Sequence, residues 1–259
     1  MYSVIGILIA RLLFPNNPSL VSVAFTSLLL LPSLSKIFSL ETRQQAREKR
    51  FSFRKLIYDE YDFVGVYLML MLGVFVTYLL AAVVLPNFEV NSLFAAQLTT
   101  GDIAGFATFN SGLFSLILLN NFFVLLACFL LSLLTGDGGS FLLIWNASLW
   151  GSVFGITAKN AAFYLGQNPF FVIFMILLVV FPHALLEMFS YILGAISGGI
   201  ISKSFQHGIV QKKNELFMYN FWTFFIAFAV LIIAALVETF VLQNASTYAS
   251  IAHLARFGP

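Results

Sequence analysis

The chain has 259 residues, of which 60% are hydrophobic and only 9% charged, with a net charge of +2 and a mean hydropathy of +0.96. A soluble domain is nearer a quarter charged, so this composition excludes a soluble globular protein and defines an integral membrane protein. At about 20 residues per crossing, one domain spanning residues 1–259 holds roughly six or seven helices and no separate soluble catalytic unit. The basic residues gather at membrane borders, which argues against a nucleic-acid partner and for the lipid bilayer as the main one.

Met1–Phe14 is apolar but too short to span, and Pro15-Asn16-Asn17-Pro18 stops it. It reads as a short N-terminal helix that lies at the interface or re-enters against the bundle. Its basic residue, Arg11, follows the apolar run, the reverse of a signal peptide, so the segment is expected to be retained. Ser19–Leu40 is long enough to cross, with a kink expected at Pro32. A basic block follows: Lys36, Arg43, Arg47, Lys49, Arg50, Arg54 and Lys55. Its position predicts a cytoplasmic anchor that also attracts anionic headgroups.

Phe63–Leu85 is a second crossing, and Pro86–Ser111 reads as a loop whose Phe94, Phe106 and Phe109 suit an interface. Leu113–Leu134, the third crossing, carries Asn120 and Asn121, and its Cys128 is expected to be a small buried hydrophobe. Thr135–Ser140 is a tight glycine-rich turn, and no Gly-Lys-Ser/Thr follows to make it a phosphate loop. The fourth crossing, Phe141–Thr157, bears Asn146, with Ala147, Gly151 and Gly155 spaced four apart on one face. Lys159–Pro169 reads as a polar connection.

Phe170–Ser202 is too long for one straight crossing and too short for two, and Pro182 divides it. Lys203, His207, Lys212 and Lys213 then form a second basic loop, and Tyr219–Val241 is the last crossing, with Glu238 near its end. Placing both basic blocks inside puts ten of the thirteen Lys and Arg there, seven in the first block and three in the second. Only an even number of crossings between the blocks allows this, so Phe170–Ser202 crosses once. The expected fold is an all-α polytopic bundle of about six crossings in the cell membrane, with both termini outside. Its Lys36–Lys55 and Lys203–Lys213 loops are cytoplasmic, and its fifth crossing is broken at Pro182-His183.

That break carries the chemistry to be weighed. His183 and Glu187 lie one helical turn apart and share a face, which continues through Ser190, Gly194, Gly198 and Ser202. Small-residue stripes of this kind, including Gly151 and Gly155, let membrane helices approach closely and would serve self-association as readily as internal packing. One reading makes His183 and Glu187 a buried ion pair or hydrogen bond that fixes a broken helix. The other makes them a proton- or ion-handling pair at a broken helix of the transporter type, with Asn120, Asn121, Asn146 and Glu238 as a polar path. A metal hydrolase is disfavoured. His-x-x-x-Glu offers two ligands on one face and Glu238 could add a third, but His-Glu-x-x-His is absent, and His207 and His253 fall in an inner loop and an outer tail. Glu238, near a helix end, is expected to snorkel to the outer interface. No cofactor is implied.

Three segments occur in a telling order: Leu118-Leu119-Asn120-Asn121, Trp145-Asn146-Ala147-Ser148, and Pro182-His183 with Glu187 followed by Gly194 and Gly198. Together they resemble the stage II sporulation protein M family of multi-span membrane proteins over nearly the whole chain. The layout looks most like its archaeal members, with Asn17-Pro18 before the first crossing and Ala234-Ala235-Leu236-Val237-Glu238 in the last. Ala184 departs from the glycine common after the histidine. In spore-forming bacteria the resemblance implies a scaffold that holds peptidoglycan-remodelling enzymes at the membrane. For this chain it implies a non-enzymatic membrane scaffold or assembly factor, with a transporter or channel as the alternative.

Overall fold

The computed structural model describes residues 1–47, 53–104, 112–206, 213–244 and 250–251. Phe106, Phe109, His207, Lys212 and His253 lie outside these residues, as do the side chains of the first basic block from Arg43 on. The described residues form α1 (Tyr2–Leu13), α2 (Pro18–Arg47), α3 (Phe53–Val84), α4 (Asn87–Leu93), α5 (Ala95–Ala104), α6 (Leu113–Thr135), α7 (Gly139–Leu165), α8 (Pro169–Gln206) and α9 (Lys213–Asn244). Six of them, α2, α3, α6, α7, α8 and α9, are long and apolar enough to cross a membrane. The fold is therefore the expected all-α polytopic bundle.

The inner half of α8 is its post. Residues 190–204 are buried without interruption, four turns of helix covered on every side. A helix can be enclosed like this only if its side chains let neighbours close in, and eight of these fifteen residues are Gly, Ala or Ser. A Cβ on Gly198 would collide with the Phe129 carbonyl and come within 3.0 Å of the Leu133 nitrogen, and one on Gly194 would meet Leu125, all on α6. Ser190, on the same stripe, donates instead to the Ala227 carbonyl of α9 at 2.8 Å. Gly151 and Gly155 of α7 seat against α3 in the same way: a Cβ on Gly155 would stand 2.7 Å from the Ala82 Cβ and 2.8 Å from the Leu79 carbonyl oxygen. Both glycine stripes are thus filled inside one chain, and neither is left to bind a second copy.

The expected break at Pro182-His183 is corrected: α8 stays helical through Pro182. Proline removes one backbone donor, but in lipid the alternatives to helix strand many more polar groups. Pro182 and Phe181 face outward, where the ring meets no neighbouring helix, while the buried inner half holds the segment in register. The same persistence explains Pro32 within α2. At 38 residues α8 is about 57 Å long, so its single crossing overhangs the bilayer core.

Three further expectations are revised. The stretch Lys159–Pro169 is largely helix, because α7 runs to Leu165 and ends at Gly166, whose φ of 60° is left-handed. Lys159 reaches from α7 to the Leu85 carbonyl just past α3. The segment after Pro86 holds two short helices, α4 and α5. Phe94 between them is buried against Tyr78 at 5.4 Å between ring centroids, not placed at an interface. Lys203 opens no loop: it sits in the last turn of α8, buried.

The packing fixes which helix ends meet. Ser19 at the start of α2 donates to Gln97 of α5 (2.8 Å) and accepts from the Ala96 N–H (2.9 Å). Arg11 of α1 pairs with Glu89 of α4. A Cβ on Gly6 would collide with Thr26 and meet the Ser22 carbonyl at 2.9 Å, so α1 runs back along α2 as a helical hairpin. At the opposite end Lys203 donates to the Ser35 carbonyl (3.1 Å) and hydroxyl (3.2 Å) and pairs with Asp137 at 2.8 Å. Lys36 and Lys203 therefore share one end of the bundle.

Close approach at Gly198 makes a sharp prediction. Gly198→Ala should destabilise the protein by about 1–3 kcal/mol through overpacking against α6 backbone. Gly73→Ala, where nothing lies within 4 Å, should be neutral or slightly stabilising. Thermal unfolding midpoints in one detergent compare the two, and equal effects would contradict the packing described.

Candidate functional site

The polar residues of the crossings converge on Glu187. It lies near the middle of α8 on the face covered by α6 and α9, and it is 6% exposed. Asn121, on the buried face of α6, donates from Nδ2 to Glu187 Oε1 at 2.6 Å. From α9, the Glu238 carboxyl group comes beside that of Glu187. Tyr191, one turn on from Glu187 and 1% exposed, and Cys128 of α6, fully buried, complete the surroundings. Three helices are thus knotted by side chains that would each be costly to leave unpaired in an apolar medium.

The structure divides the residues singled out from sequence. Asn121, Glu187 and Glu238 come together, and Glu238 turns inward instead of snorkelling outward; its Oε2 is buried without a hydrogen-bond partner. His183, 5% exposed, shares the buried face of α8 but is not the partner expected for Glu187. Among the described residues Glu187 bonds Asn121 instead, with Glu238 beside it, and His183 Nδ1 is buried with no hydrogen-bond partner. The capture is physical: side chains arriving from α6 and α9 occupy the carboxyl oxygens that a same-helix histidine would need. Asn146 is apart from the knot, donating to the Leu142 carbonyl of its own helix at 2.9 Å. Asn120 points outward, with one long contact of 3.4 Å to Asn121 Oδ1. Ser190, Gly194, Gly198 and Ser202 are buried packing positions, and Pro182 is exposed.

A second polar cluster was not foreseen. Lys203, Asp137 and Ser35 tie α8, the α6–α7 turn and α2 at the basic end. Its signal was legible in part: an acid in a three-residue turn between two apolar helices has few partners except a cation at a neighbouring helix end. Gly136, with φ of 87°, and Thr135, which accepts from the Gly138 N–H at 2.7 Å, hold that turn in shape. Among the described residues no three His, Cys, Asp or Glu side chains are grouped to hold a metal ion. A small pocket lies on the other side of α8, lined only by apolar residues, among them Leu72, Phe75, Trp150, Phe154, Leu177 and Met188.

Six crossing helices closed around a buried pair of carboxyl groups define a polytopic membrane protein whose polar core is a knot between helices. The family model described as Stage II sporulation protein M matches residues 64–242, and the chain belongs to that family. The matched span runs from α3 into α9, so it contains the whole knot and leaves the α1–α2 hairpin outside. The resemblance carried by Asn120-Asn121, Trp145-Asn146 and Pro182-His183 is borne out. Neither the curated proteins nor the solved structures contain a match.

The knot predicts an ordered mutant series. Glu187→Gln keeps the shape and can both accept from Asn121 and donate to Glu238, so stability should change little. Glu187→Leu strands both partners and should lose about 1–3 kcal/mol for each. Adding Asn121→Leu to Glu187→Leu should cost less than its effect alone, because the two residues act as one unit. Denaturation midpoints of the wild type and the four variants check this, and strict additivity would count against the knot.

Proposed function

We propose that the chain is a non-enzymatic membrane scaffold or assembly factor of the cell membrane, with the Lys36–Lys55 and Lys203–Lys213 segments in the cytoplasm. The observation that carries this reading is the use made of the intramembrane polar groups. Asn121 of α6 bonds Glu187 of α8, with Glu238 of α9 beside them, while the pocket beside α8 is lined by apolar residues. A transport path needs a polar lining that water and solute can reach, and a knot of this kind instead favours a fixed frame.

Such a frame presents two rigid ends to other proteins. One is built from the α1–α2 turn, α4 and α5, tied by Arg11–Glu89 and Ser19–Gln97. The other is held by Lys203, Asp137 and Ser35. Family membership agrees with this role, and the ten Lys and Arg of the two basic blocks, out of thirteen in the chain, support the orientation.

Photocrosslinking in native membranes from the exposed Phe88 of α4 should capture a distinct protein. The purified chain in liposomes should pass no ions or solutes under imposed gradients. Gradient-driven flux abolished by Glu187→Gln in a folded protein would replace the scaffold with a transporter. Capture of nothing but lipid from probes at both ends would also overturn it. Labelling of a cysteine at Lys212 from the outer side would reverse the orientation.

A further inference from the structure

We infer that the end of the α7–α8 hairpin farthest from Lys203 is embedded in lipid, so that the apolar band of the protein is lopsided and the bilayer is held locally thicker along α8. The inference stands apart from the scaffold reading, since it concerns only where lipid meets the fold. The register of the helices carries it. Gly194 and Gly198 of α8 meet Leu125 and Phe129 of α6, each pair 69 positions apart in the chain. The two helices therefore run parallel, and Leu113 at the start of α6 comes level with Pro182. Pro169–Phe181 projects past that level by 13 residues, about 19 Å. Gly151 of α7 meets Phe75 and Leu79 of α3, and Lys159 reaches the Leu85 carbonyl, so α3 also ends short of Phe163.

At the other end of these helices there is no such step. By the same register Thr135 of α6 comes level with Ser204, beside the Lys203–Asp137 pair, so both helices share one charged edge. From that edge α6 runs 23 residues, about 34 Å, close to an ordinary hydrocarbon core of about 30 Å. The projecting part of α8 carries no polar side chain. Phe170, Phe171, Phe174, Leu178 and Phe181 are exposed on it, as is Phe163 at the end of α7. In water this would be a large bare apolar surface, and a protein partner would find none of the polar groups that rim interfaces. Acyl chains require neither. Polarity returns only at the turn, in Gln167 and Asn168, with Tyr164 just before it as a residue suited to the headgroup level. Tilting cannot level the step. Packed helices lie about 8–10 Å apart, so a step of about 19 Å would need a tilt of roughly 60°, beyond the range of about 0–40° that membrane helices adopt. The bilayer adapts instead.

The test uses the full chain in a Cys128→Ala background, reconstituted into phosphatidylcholine liposomes, with single spin labels at Phe170→Cys, Phe174→Cys or Asn168→Cys. Molecular oxygen concentrates in hydrocarbon, whereas a nickel chelate stays in water. Labels at Phe170→Cys and Phe174→Cys should be relaxed by oxygen and not by nickel, while nickel should reach the label at Asn168→Cys. Nickel at Phe174→Cys would put the hairpin in water, and exclusion of both reagents would assign this face to a second copy or another part of the chain. Either result overturns the proposal. Thickness is tested separately, by thermal midpoints in bilayers of monounsaturated lipids with chains of about 14 to 22 carbons. The midpoint should rise with chain length, because a thicker bilayer needs less deformation to cover the hairpin. The rise should shrink in the Phe170→Ser/Phe174→Ser variant, whose changes lie on an exposed face and spare the packed core. A midpoint that stays flat or falls with chain length, or a rise that the double variant keeps in full, would overturn the thickened flank.

Discussion

Everything in this bundle depends on how closely other helices can approach the inner half of α8. In water a buried helix is driven inward by its apolar surface, but lipid tails are as apolar as leucine and supply no such force. What remains is contact, and contact improves as side chains shrink. Eight small residues between Ser190 and Ser204 let α6 come against Gly194 and Gly198 while α9 closes on Ser190. The same logic repeats between α7 and α3. Two glycine-lined seams thus fix the places of four of the six crossing helices.

Close seams leave little freedom for polar side chains near them, and this is why the polar residues end up in knots. Glu187 emerges from α8 where α6 and α9 converge, so its carboxyl meets Asn121 and Glu238 before it can meet solvent. Lys203 emerges four turns later, where α8 passes α2 and the α6–α7 turn, and meets Ser35 and Asp137. Buried polar groups of this kind are weak as sources of stability but severe when half-satisfied, so they select one arrangement of helices over its neighbours.

Much of this was legible in the chain itself. Hydropathy located the crossings, charge required a single crossing between Phe170 and Ser202, and the four-residue glycine spacing marked the seams. What failed was the weight given to proline. Rules learned from soluble proteins make Pro182 a break, yet in lipid no solvent waits to accept the backbone that a break would expose. The stop signal that mattered lay elsewhere, in Gly166 followed by Pro169, where α7 ends. A 26-residue loop from Pro86 to Ser111 was also suspect on length alone, since connections of that size usually contain structure of their own. The partners of Glu187 could not be read locally: Asn121 and Glu238 are 66 and 51 residues distant, and only the packed helices choose them over the histidine one turn away.

The pairing of α3 with α7 has a consequence for how the protein is made. Between them in sequence lie α4, α5 and α6, so α3 enters the membrane well before the helix that will cover it. Until α7 follows, the α3 surface around Phe75, Leu79 and Ala82, against which Gly151 and Gly155 later seat, faces lipid or another protein. Tyr78 of α3, bonded at 3.0 Å to Ser22 of the earlier α2, then serves as the early clasp that keeps α3 from wandering. Insertion order and final neighbourhood are thus mismatched by design of the sequence, and the first three helices must wait as a half-built wall for the second half of the chain to arrive.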